Sequence, residues 1–272
     1  MSNSDKALYL PHGADDLTEE SLWRWFQNIA NEIPLLSLSD DERRLFEGYY
    51  RAAGLLKGWR RPFFRHHYAL PLLLAVVEFF KTAKRPRILD LGCGTGTQSL
   101  LFALLGADVV AVDMDESALD VFRKRKALYE YRSGRSLRIS ILSGNIFELN
   151  LHSVGPFSAV YSLFAFNMMQ PARELLRRLE PHLTKQALFA IQDGNRGHFF
   201  NRFFRRRFAS RDELRAGLSA VGFASVCHIG GYAIPPVFWH LISARLLEPI
   251  DRLLTKSDLL TVSYLHVARR GD

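Results

Sequence analysis

Residues 87–96 read Arg-Ile-Leu-Asp-Leu-Gly-Cys-Gly-Thr-Gly, an apolar strand that runs directly into a turn containing three glycines. A second apolar strand, Val109 to Val112, follows and ends in Asp113. Glycine is needed where a backbone turns tightly and where a ligand approaches more closely than a Cβ atom would allow. An acid at the end of the next strand can accept hydrogen bonds from both hydroxyls of a ribose. Together the two strands predict a nucleoside site.

The spacing of the glycines narrows the choice of ligand. The dinucleotide fingerprint is Gly-x-Gly-x-x-Gly/Ala, but here the glycines are Gly92, Gly94 and Gly96, and Thr97 stands where the fingerprint has Gly or Ala. No Gly-Lys-Ser/Thr follows, so the phosphate-loop pattern is also absent. The spacing suits a ligand with an uncharged or zwitterionic tail. The alternative interpretation is a tight turn between strand and helix that binds nothing.

Ile88 to Gly96 match hhDhGxGxG, the first motif of the class I S-adenosylmethionine-dependent methyltransferases, and the chain resembles this family over about residues 67–230. The resemblance implies S-adenosyl-L-methionine as the cofactor. It also implies the residues that contact the cofactor, which are Asp90, Gly92, Cys93, Gly94, Thr95, Gly96, Asp113, Met114, Asn145, Ile146 and Ser162.

Within this set the resemblance implies that Asp113 binds the ribose hydroxyls and that Met114 packs against adenine. Asn145 departs from the family pattern, which often has an aspartate at this position to accept a hydrogen bond from the adenine 6-amino group. An amide oxygen can still accept that bond. The family also uses the segment that corresponds to Ser162–Asn167 to line the methyl-transfer site.

Alternation of apolar strands with amphipathic segments predicts an α/β fold with helices on both faces of a parallel sheet. The predicted strands are 87–91, 108–112, 138–142, 157–161, 187–192, 224–229 and 260–268. The predicted helices are 17–30, one from Ser37 or Ser39 to about Leu56, 68–80, 97–105, 116–129, 171–180, 211–221 and one that ends near Leu254. The expectation is a doubly wound, mostly parallel seven-stranded sheet with an antiparallel last strand, as in the resembled family. Residues 1–66 would form an N-terminal helical cap on a domain of residues 67–272, with a helical insertion at about 231–258.

Composition limits the cellular context. No apolar run reaches the roughly 18 residues of a spanning helix, and the first residues lack the basic and apolar regions of a signal peptide. Two cysteines, Cys93 and Cys227, form no evident disulfide framework and fit a reducing cytoplasm. We therefore expect a cytoplasmic protein, with contact to the inner membrane face left open. No cluster of acids indicates a metal site.

Charge and aromatic residues are unevenly distributed. Residues 1–50 carry ten acidic and four basic side chains, whereas residues 51–87 carry nine basic and one acidic. Basic and aromatic residues alternate in 51–68 and again in 198–208. Such stretches can bind single-stranded nucleic acid, rest on an anionic membrane, or pack aromatic rings inward beneath a solvated arginine face. The sequence leaves all three readings open.

The later part of the chain favours an apolar substrate. Asp193-Gly194-Asn195 and the proline-containing insertion 231–240 are similar to a bacterial subgroup of the family whose members often belong to lipid, glycan or secondary-metabolite pathways. The Asp/Asn-Pro-Pro-Tyr/Phe motif of enzymes that methylate adenine-N6 or glutamine amides is absent at 162–165.

An alcohol acceptor needs a general base. Asp193 and His198 are the candidate catalytic residues because they follow the fifth strand at its carboxyl end; the alternative is a surface or helix-capping role.

The sequence thus predicts methyl transfer, most simply to an oxygen of a small, lipidic or glycan substrate that is free or lipid-linked. RNA methylation is the second reading, since the isoelectric point is about 9.6. A catalytically inactive, cofactor-binding partner subunit is the third. The oligomeric state is left open.

Overall fold

Short apolar runs form the strands of the computed structural model, which describes residues 8–51, 61–199, 201, 210–235 and 238–271. Most side chains of the central strands are buried, as expected for strands covered on both faces. The strands are β1 (Arg87–Leu91), β2 (Asp108–Asp113), β3 (Ile139–Ser143), β4 (Phe157–Leu163), β5 (Leu183–Gly194), β6 (Phe223–Gly230) and β7 (Ser263–Arg270).

Several helices begin at capping side chains that accept hydrogen bonds from the first free backbone amides. Thr18 caps the first helix and Ser210 caps the helix before β6. The helices are α1 (Glu19–Glu32), α2 (Asp40–Arg51), α3 (Arg61–Phe64), α4 (Leu70–Thr82), α5 (Thr97–Leu104), α6 (Glu116–Ser133), α7 (Ala172–Leu179), α8 (Arg211–Ser219), α9 (Phe238–Leu241) and α10 (Ala244–Leu254). A π-helical turn, Arg65–Ala69, joins α3 to α4.

The sheet has seven strands in the order β3-β2-β1-β4-β5-β7-β6. Strands β1 to β5 pair in parallel, whereas β7 lies antiparallel between β5 and β6. This arrangement confirms the predicted fold class, including the antiparallel last strand. The strand order reverses between β1 and β4, and ligands of open α/β sheets bind at such a switch point.

The predicted bounds differ from the structure mainly at the ends of elements. Helix α6 continues to Ser133 and not to 129, because the first residue with a left-handed backbone is Gly134. Strand β5 covers Leu183–Gly194 where 187–192 was expected, since pairing with β7 continues as far as Gly194. Strand β7 is shifted from 260–268 to Ser263–Arg270.

The N-terminal helices share the core of the sheet. Leu22, Phe26 and Ile29 of α1 are almost completely buried and belong to the same apolar cluster as Phe79 of α4 and Phe102 of α5. A second cluster lies on the other face of the sheet, beneath α7 and α8. Helices α1 and α2 thereby have one fixed position beside the carboxyl ends of β1 and β2.

The insertion after β6 forms two helices, α9 and α10, where one helix ending near Leu254 was expected. None of the helices in the described ranges combines the length and the apolar content that a membrane span requires. Much of the two basic and aromatic stretches, namely 52–60, Phe200 and 202–208, lies outside the described residues, and so does the end of the helix predicted to reach Leu56.

Candidate functional site

A cavity of about 620 Å³ opens at the carboxyl ends of β1 to β4, where the strand order reverses. This volume is within the usual range for small-molecule and cofactor sites. The described residues that line it, and that the sequence assigned to the cofactor, are Asp90, Gly92, Cys93, Gly94, Thr95, Asp113, Met114, Asn145 and Ile146. The cavity therefore collects side chains from the ends of three neighbouring strands and from the glycine turn.

The glycine turn requires glycine at all three positions, because of its backbone conformation and because of the neighbouring side chains. All three have positive φ, with values of 71°, 51° and 80° for Gly92, Gly94 and Gly96, a region that other residues rarely adopt. A Cβ atom at Gly92 would overlap Ala165, and one at Gly96 would overlap the ring of Phe122. At Gly94 a Cβ atom would lie 3.0 Å from the ring of Tyr49. The turn is thus packed tightly on both sides while its lining atoms stay open to the cavity.

Asp113 holds the turn and still faces the cavity. One oxygen of its carboxylate accepts a hydrogen bond from the Gly94 amide at 2.7 Å, and the other accepts from the Asp115 amide at 3.0 Å. A carboxylate has about four acceptor positions, so lone pairs remain for the hydroxyls of a ligand. Nearby, the amide oxygen of Asn145 accepts from the Phe147 amide at 3.1 Å and keeps a second lone pair.

Asp90 lies at the base of the turn with its carboxylate buried. Burial raises its pKa to about 7, and the hydroxyl of Ser99, which donates a hydrogen bond to it, partly offsets this effect. Burial also raises the pKa of the Cys93 thiol well above its usual value. Near neutral pH the Cys93 thiol is therefore protonated, whereas the Asp90 carboxyl is close to the midpoint of its titration.

Two tyrosines of α2 pack against the glycine turn. The ring of Tyr49 covers Gly94, and burial together with the charge of Asp113 raises the pKa of this tyrosine to about 12. The Tyr50 hydroxyl lies 2.8 Å from the Thr95 hydroxyl and also contacts that of Thr97. Sequence analysis did not assign either tyrosine to the site. Sequence separation explains this, because the contact joins residues about 45 positions apart and leaves no local periodicity.

A buried ion pair fastens the same turn to α1 and α6. Arg125 and Glu32 are fully buried and form a two-point contact, with distances of 2.5 and 3.0 Å between their nitrogen and oxygen atoms. A further nitrogen of Arg125 donates to the carbonyl of Thr95 at 2.6 Å and to the hydroxyl of Thr97 at 2.8 Å. The Tyr129 hydroxyl donates to Glu32 at 2.6 Å. The backbone of the glycine turn is therefore positioned by a network that begins in the N-terminal helices.

Another part of the cavity wall is apolar and rich in aromatic rings. It consists of Phe26, Tyr68, Leu163, Phe164, Ala165, Met168 and Met169. Phe164 has φ of 55°, a strained conformation for a residue with a large side chain, and its amide donates to the Gln192 carbonyl at 2.7 Å. Residues in such strained conformations cluster at ligand sites, and they persist only where the surrounding structure holds them in place.

The two predicted catalytic residues lie outside the cavity wall that the described residues form. Asp193 is buried, and its carboxylate accepts from the backbone amides of Asn167 at 2.8 Å and Gly194 at 2.7 Å. Burial raises its pKa to about 6. His198 is also buried, which lowers its pKa. Asp193 thus positions the turn that carries Met168.

Two predicted cofactor residues also lie behind the wall. Gly96 packs against Phe122 and allows α5 to approach α6. Ser162 is buried in β4, and its hydroxyl donates to the Leu91 carbonyl at 3.0 Å. Among the described lining residues, neither Gly96 nor Ser162 occurs.

Comparison with known proteins agrees with this geometry. Residues 88–186 match a family described as "Methyltransferase domain". A demethylmenaquinone methyltransferase of Clavibacter sepedonicus is 37% identical over 99 residues, which are 35% of this chain and 37% of that protein. A ubiquinone biosynthesis O-methyltransferase of Coxiella burnetii is 37% identical over 95 residues, 35% of this chain and 36% of that protein. The chain thus matches little more than a third of the length of these relatives.

Solved structures resemble the whole fold. The magnesium protoporphyrin IX methyltransferase of Synechocystis PCC 6803, determined with bound S-adenosylmethionine, has a TM-score of 0.53 at 14% identity. The similarity covers 86% of this chain and 99% of that one. At this identity the comparison establishes the fold.

Proposed function

Because the chain carries a class I S-adenosylmethionine-dependent methyltransferase domain, we propose that it binds this cofactor in the cavity and transfers its methyl group to an oxygen of a small, hydrophobic acceptor. The observation that carries the proposal is the mixed composition of the cavity wall. We assign the glycine turn and Asp113 to a first end for the cofactor, and the aromatic and aliphatic side chains to an acceptor end.

The residues at the first end fit the cofactor. The free lone pairs of Asp113 can accept from two ribose hydroxyls, and Met114 and Ile146 offer apolar contacts for a flat base. The glycine turn itself, with Gly92, Cys93, Gly94 and Thr95 in the cavity wall, would contact the rest of the molecule. When bound, S-adenosylmethionine supplies a methyl group on a sulfonium, which a nucleophile can attack directly.

The chain itself contributes alignment and exclusion of water. Tyr49 and the N-terminal helices cover the turn, while Phe164 and Met168 shield the acceptor end. Sugar hydroxyls would need polar partners that this end scarcely provides, so the apolar wall favours a lipidic acceptor over a glycan.

A general base has a smaller part in this proposal than in the sequence prediction. Asp193 uses both carboxylate oxygens on backbone amides and lies outside the described wall. An acceptor oxygen that ionises readily, such as a phenol, needs little help from a base. We therefore assign the acceptor to phenol-like hydroxyls on an apolar molecule.

The name of one relative supports an oxygen acceptor, whereas that of a second relative does not state the acceptor atom. Their names place one in demethylmenaquinone methylation and the other in ubiquinone biosynthesis as an O-methyltransferase. Another match is a 23S rRNA methyltransferase of Pyrococcus abyssi. Sequence similarity alone therefore does not select the acceptor, and the apolar wall is the stronger argument.

The test is methyl transfer from labelled S-adenosylmethionine to fractionated cell extract. We expect label in the organic-soluble fraction and none in RNA, together with calorimetric binding of the cofactor. Replacing Phe164 by Ala should lower the rate on the organic fraction without changing cofactor affinity, whereas Tyr131→Ala, on the exposed face of α6, should change neither. Label confined to RNA would overturn the proposal. Tight cofactor binding with no transfer to either fraction would favour an inactive partner subunit instead.

A further inference from the structure

Helix α10 presents an apolar stripe to the outside of the molecule. Leu246, Ile250 and Leu253 are spaced so that they lie on one helix face, and their exposed fractions are 64%, 50% and 65%. The segment before the helix extends this surface with Phe238, Leu241 and Ile242, each more than two-fifths exposed. Contiguous apolar surface of this kind marks an interaction site more often than a monomer surface.

The inward face of α10 fixes this orientation. Asp251 is buried and accepts from the amides of Ala233 at 2.9 Å and Ile234 at 2.7 Å. Glu248 pairs with Arg65 at 3.1 Å, and Leu247 packs against Phe63 and Trp239. Both acids of the helix therefore face the protein, and the outward stripe carries none.

Cations flank the stripe. Arg245 and Arg252 are exposed and lie on one side of the apolar face, by their spacing along the helix, and the exposed Lys256 follows just after the helix ends. No ion pair joins any of them to an acid in the described part of the chain. A helix with large aliphatic residues on one face and basic residues at its border is typical of segments that lie in the interface of an anionic membrane.

We propose that the outward face of α10, with its flanking cations, docks the protein on the surface of an anionic lipid bilayer. A second copy of this chain fits the surface less well. Two α10 helices facing each other would bring their cations together, and neither apolar stripe carries an acid to neutralise them. The net charge of +8 for the chain favours approach to an anionic surface as well.

A series of aromatic contacts runs from the inward face of α10 to the cavity wall. Tyr232, which packs beside α10, contacts the rings of Phe63 at 4.8 Å and His67 at 4.6 Å between centroids. The ring of His67 in turn lies 5.2 Å from that of Phe164, which lines the cavity. Delivery of an acceptor from the bilayer along this aromatic wall rests on the proposed function, whereas docking itself does not.

The experiment is sedimentation of the full chain with phosphatidylcholine vesicles that contain or lack phosphatidylglycerol. We expect binding to the phosphatidylglycerol vesicles that salt weakens, since the cations act over about a Debye length. Replacing Leu246, Ile250 and Leu253 together by Gln should reduce binding about tenfold or more. Replacing Arg245, Arg252 and Lys256 by Gln should reduce it about fivefold for each cation.

Matched controls lie on α6 and α7, away from α10. Tyr131→Gln and the pair Arg173→Gln and Arg177→Gln change exposed residues of the same kinds and should leave vesicle binding unchanged. Thermal unfolding and calorimetric cofactor binding show that each variant is folded, and they report on the proposed function independently of docking. The proposal is overturned if the triple Leu/Ile variant sediments as the original protein does, or if the original protein does not sediment with the anionic vesicles. It is also overturned if that variant merely converts a dimer to a monomer while the original binds no vesicles.

Discussion

At the scale of single residues, Asp113 both holds the glycine turn in place and lines the cavity. Its carboxylate holds the Gly94 amide and still offers lone pairs to the cavity. The loss of this side chain therefore removes ligand contacts and loosens the turn at the same time. Asp108, at the other end of the same strand, makes only surface contacts with Arg85 and Arg138.

Asp113→Ala should weaken S-adenosylmethionine binding by about tenfold or more, because hydrogen bonds to a charged acceptor contribute about 1.5–3 kcal/mol each. Calorimetric titration measures the change. Asp108→Ala is the matched control on the same strand and should bind the cofactor normally. Equal affinity in the Asp113 and Asp108 variants would show that the carboxylate faces no ligand.

At the scale of elements, the buried pair of Glu32 and Arg125 joins α1, α6 and the glycine turn. Removing one partner of such a pair leaves an uncompensated charge, whereas replacing both with apolar residues of similar size is often tolerated. The pair therefore allows stability and positioning to be measured separately.

Arg125→Met should reduce the free energy of unfolding by about 3–5 kcal/mol, and Glu32→Leu combined with Arg125→Met should recover much of that loss. The double variant should still bind the cofactor more weakly, because the Thr95 carbonyl loses its donor. Urea unfolding and calorimetry measure the two quantities. Arg24→Met, which breaks an exposed pair with Glu20, is the control for both. Full cofactor affinity in the double variant would show that the network acts on stability alone.

The outer strands of the sheet contain a second element-scale feature. His228 of β6 lies opposite His266 of β7, with ring centroids 5.8 Å apart. Burial, assisted by the nearby charge of Arg211, lowers the pKa of each to about 4 from the usual 6.5. Between these values the unfolded chain binds more protons than the folded one, so stability falls as the pH is lowered.

We expect the contribution of these two histidines to the free energy of unfolding to decrease as the pH drops from about 6.5 toward 4, whereas the raised pKa values of Asp90 and Asp193 act in the opposite direction. Replacing both His228 and His266 by Gln should reduce this dependence, since neither side chain can then take up a proton. Urea titrations at a series of pH values measure it, with His12→Gln as an exposed control. A pH profile unaltered by the double replacement would contradict the assignment.

At the scale of the whole molecule, the N-terminal helices and the sheet share one core. Leu22, Phe26 and Ile29 are buried beside Phe79 and Phe102. Separating the two parts would expose this apolar face to water, which is unfavourable in proportion to the area exposed.

The full chain should therefore unfold in a single cooperative transition, observed by calorimetry and circular dichroism together. A shortened chain that begins at residue 67 should lose native near-ultraviolet circular dichroism and bind no cofactor. Two separate transitions in the full chain, or a folded and binding-competent shortened chain, would contradict this prediction.

The sequence predicted those parts of the molecule that leave a local pattern. Strands β1, β2 and β4 are continuous apolar runs, and the glycine turn has a fixed spacing, so their positions could be read from adjacent residues. The fold class follows from their alternation. Helix ends were less accurate, although Gly134 marks the end of α6 clearly.

The rest of the site depends on contacts between distant residues. Tyr49 of α2 contacts Gly94, and Arg125 contacts Glu32, which lies 93 positions away in the sequence. Such contacts leave no local pattern in the sequence. The prediction for Asp193 placed it correctly at the end of β5, but the position of a strand end does not determine where its side chain points. Its carboxylate is held by the amides of Asn167 and Gly194 instead of facing the cavity.

The position of β7 between β5 and β6 has a consequence for folding during synthesis on the ribosome. Strand β5, Leu183–Gly194, obtains its second neighbour only when Ser263–Arg270 has been synthesised. Until then one edge of this strand has unpaired amides and carbonyls, and such an edge is prone to associate with other chains. Strand β6 likewise has no place in the sheet before β7 arrives, because it pairs with β7. The sheet is therefore completed only after residue 270 has left the exit tunnel, and a nascent chain that stalls before β7 is the form of this protein most exposed to aggregation.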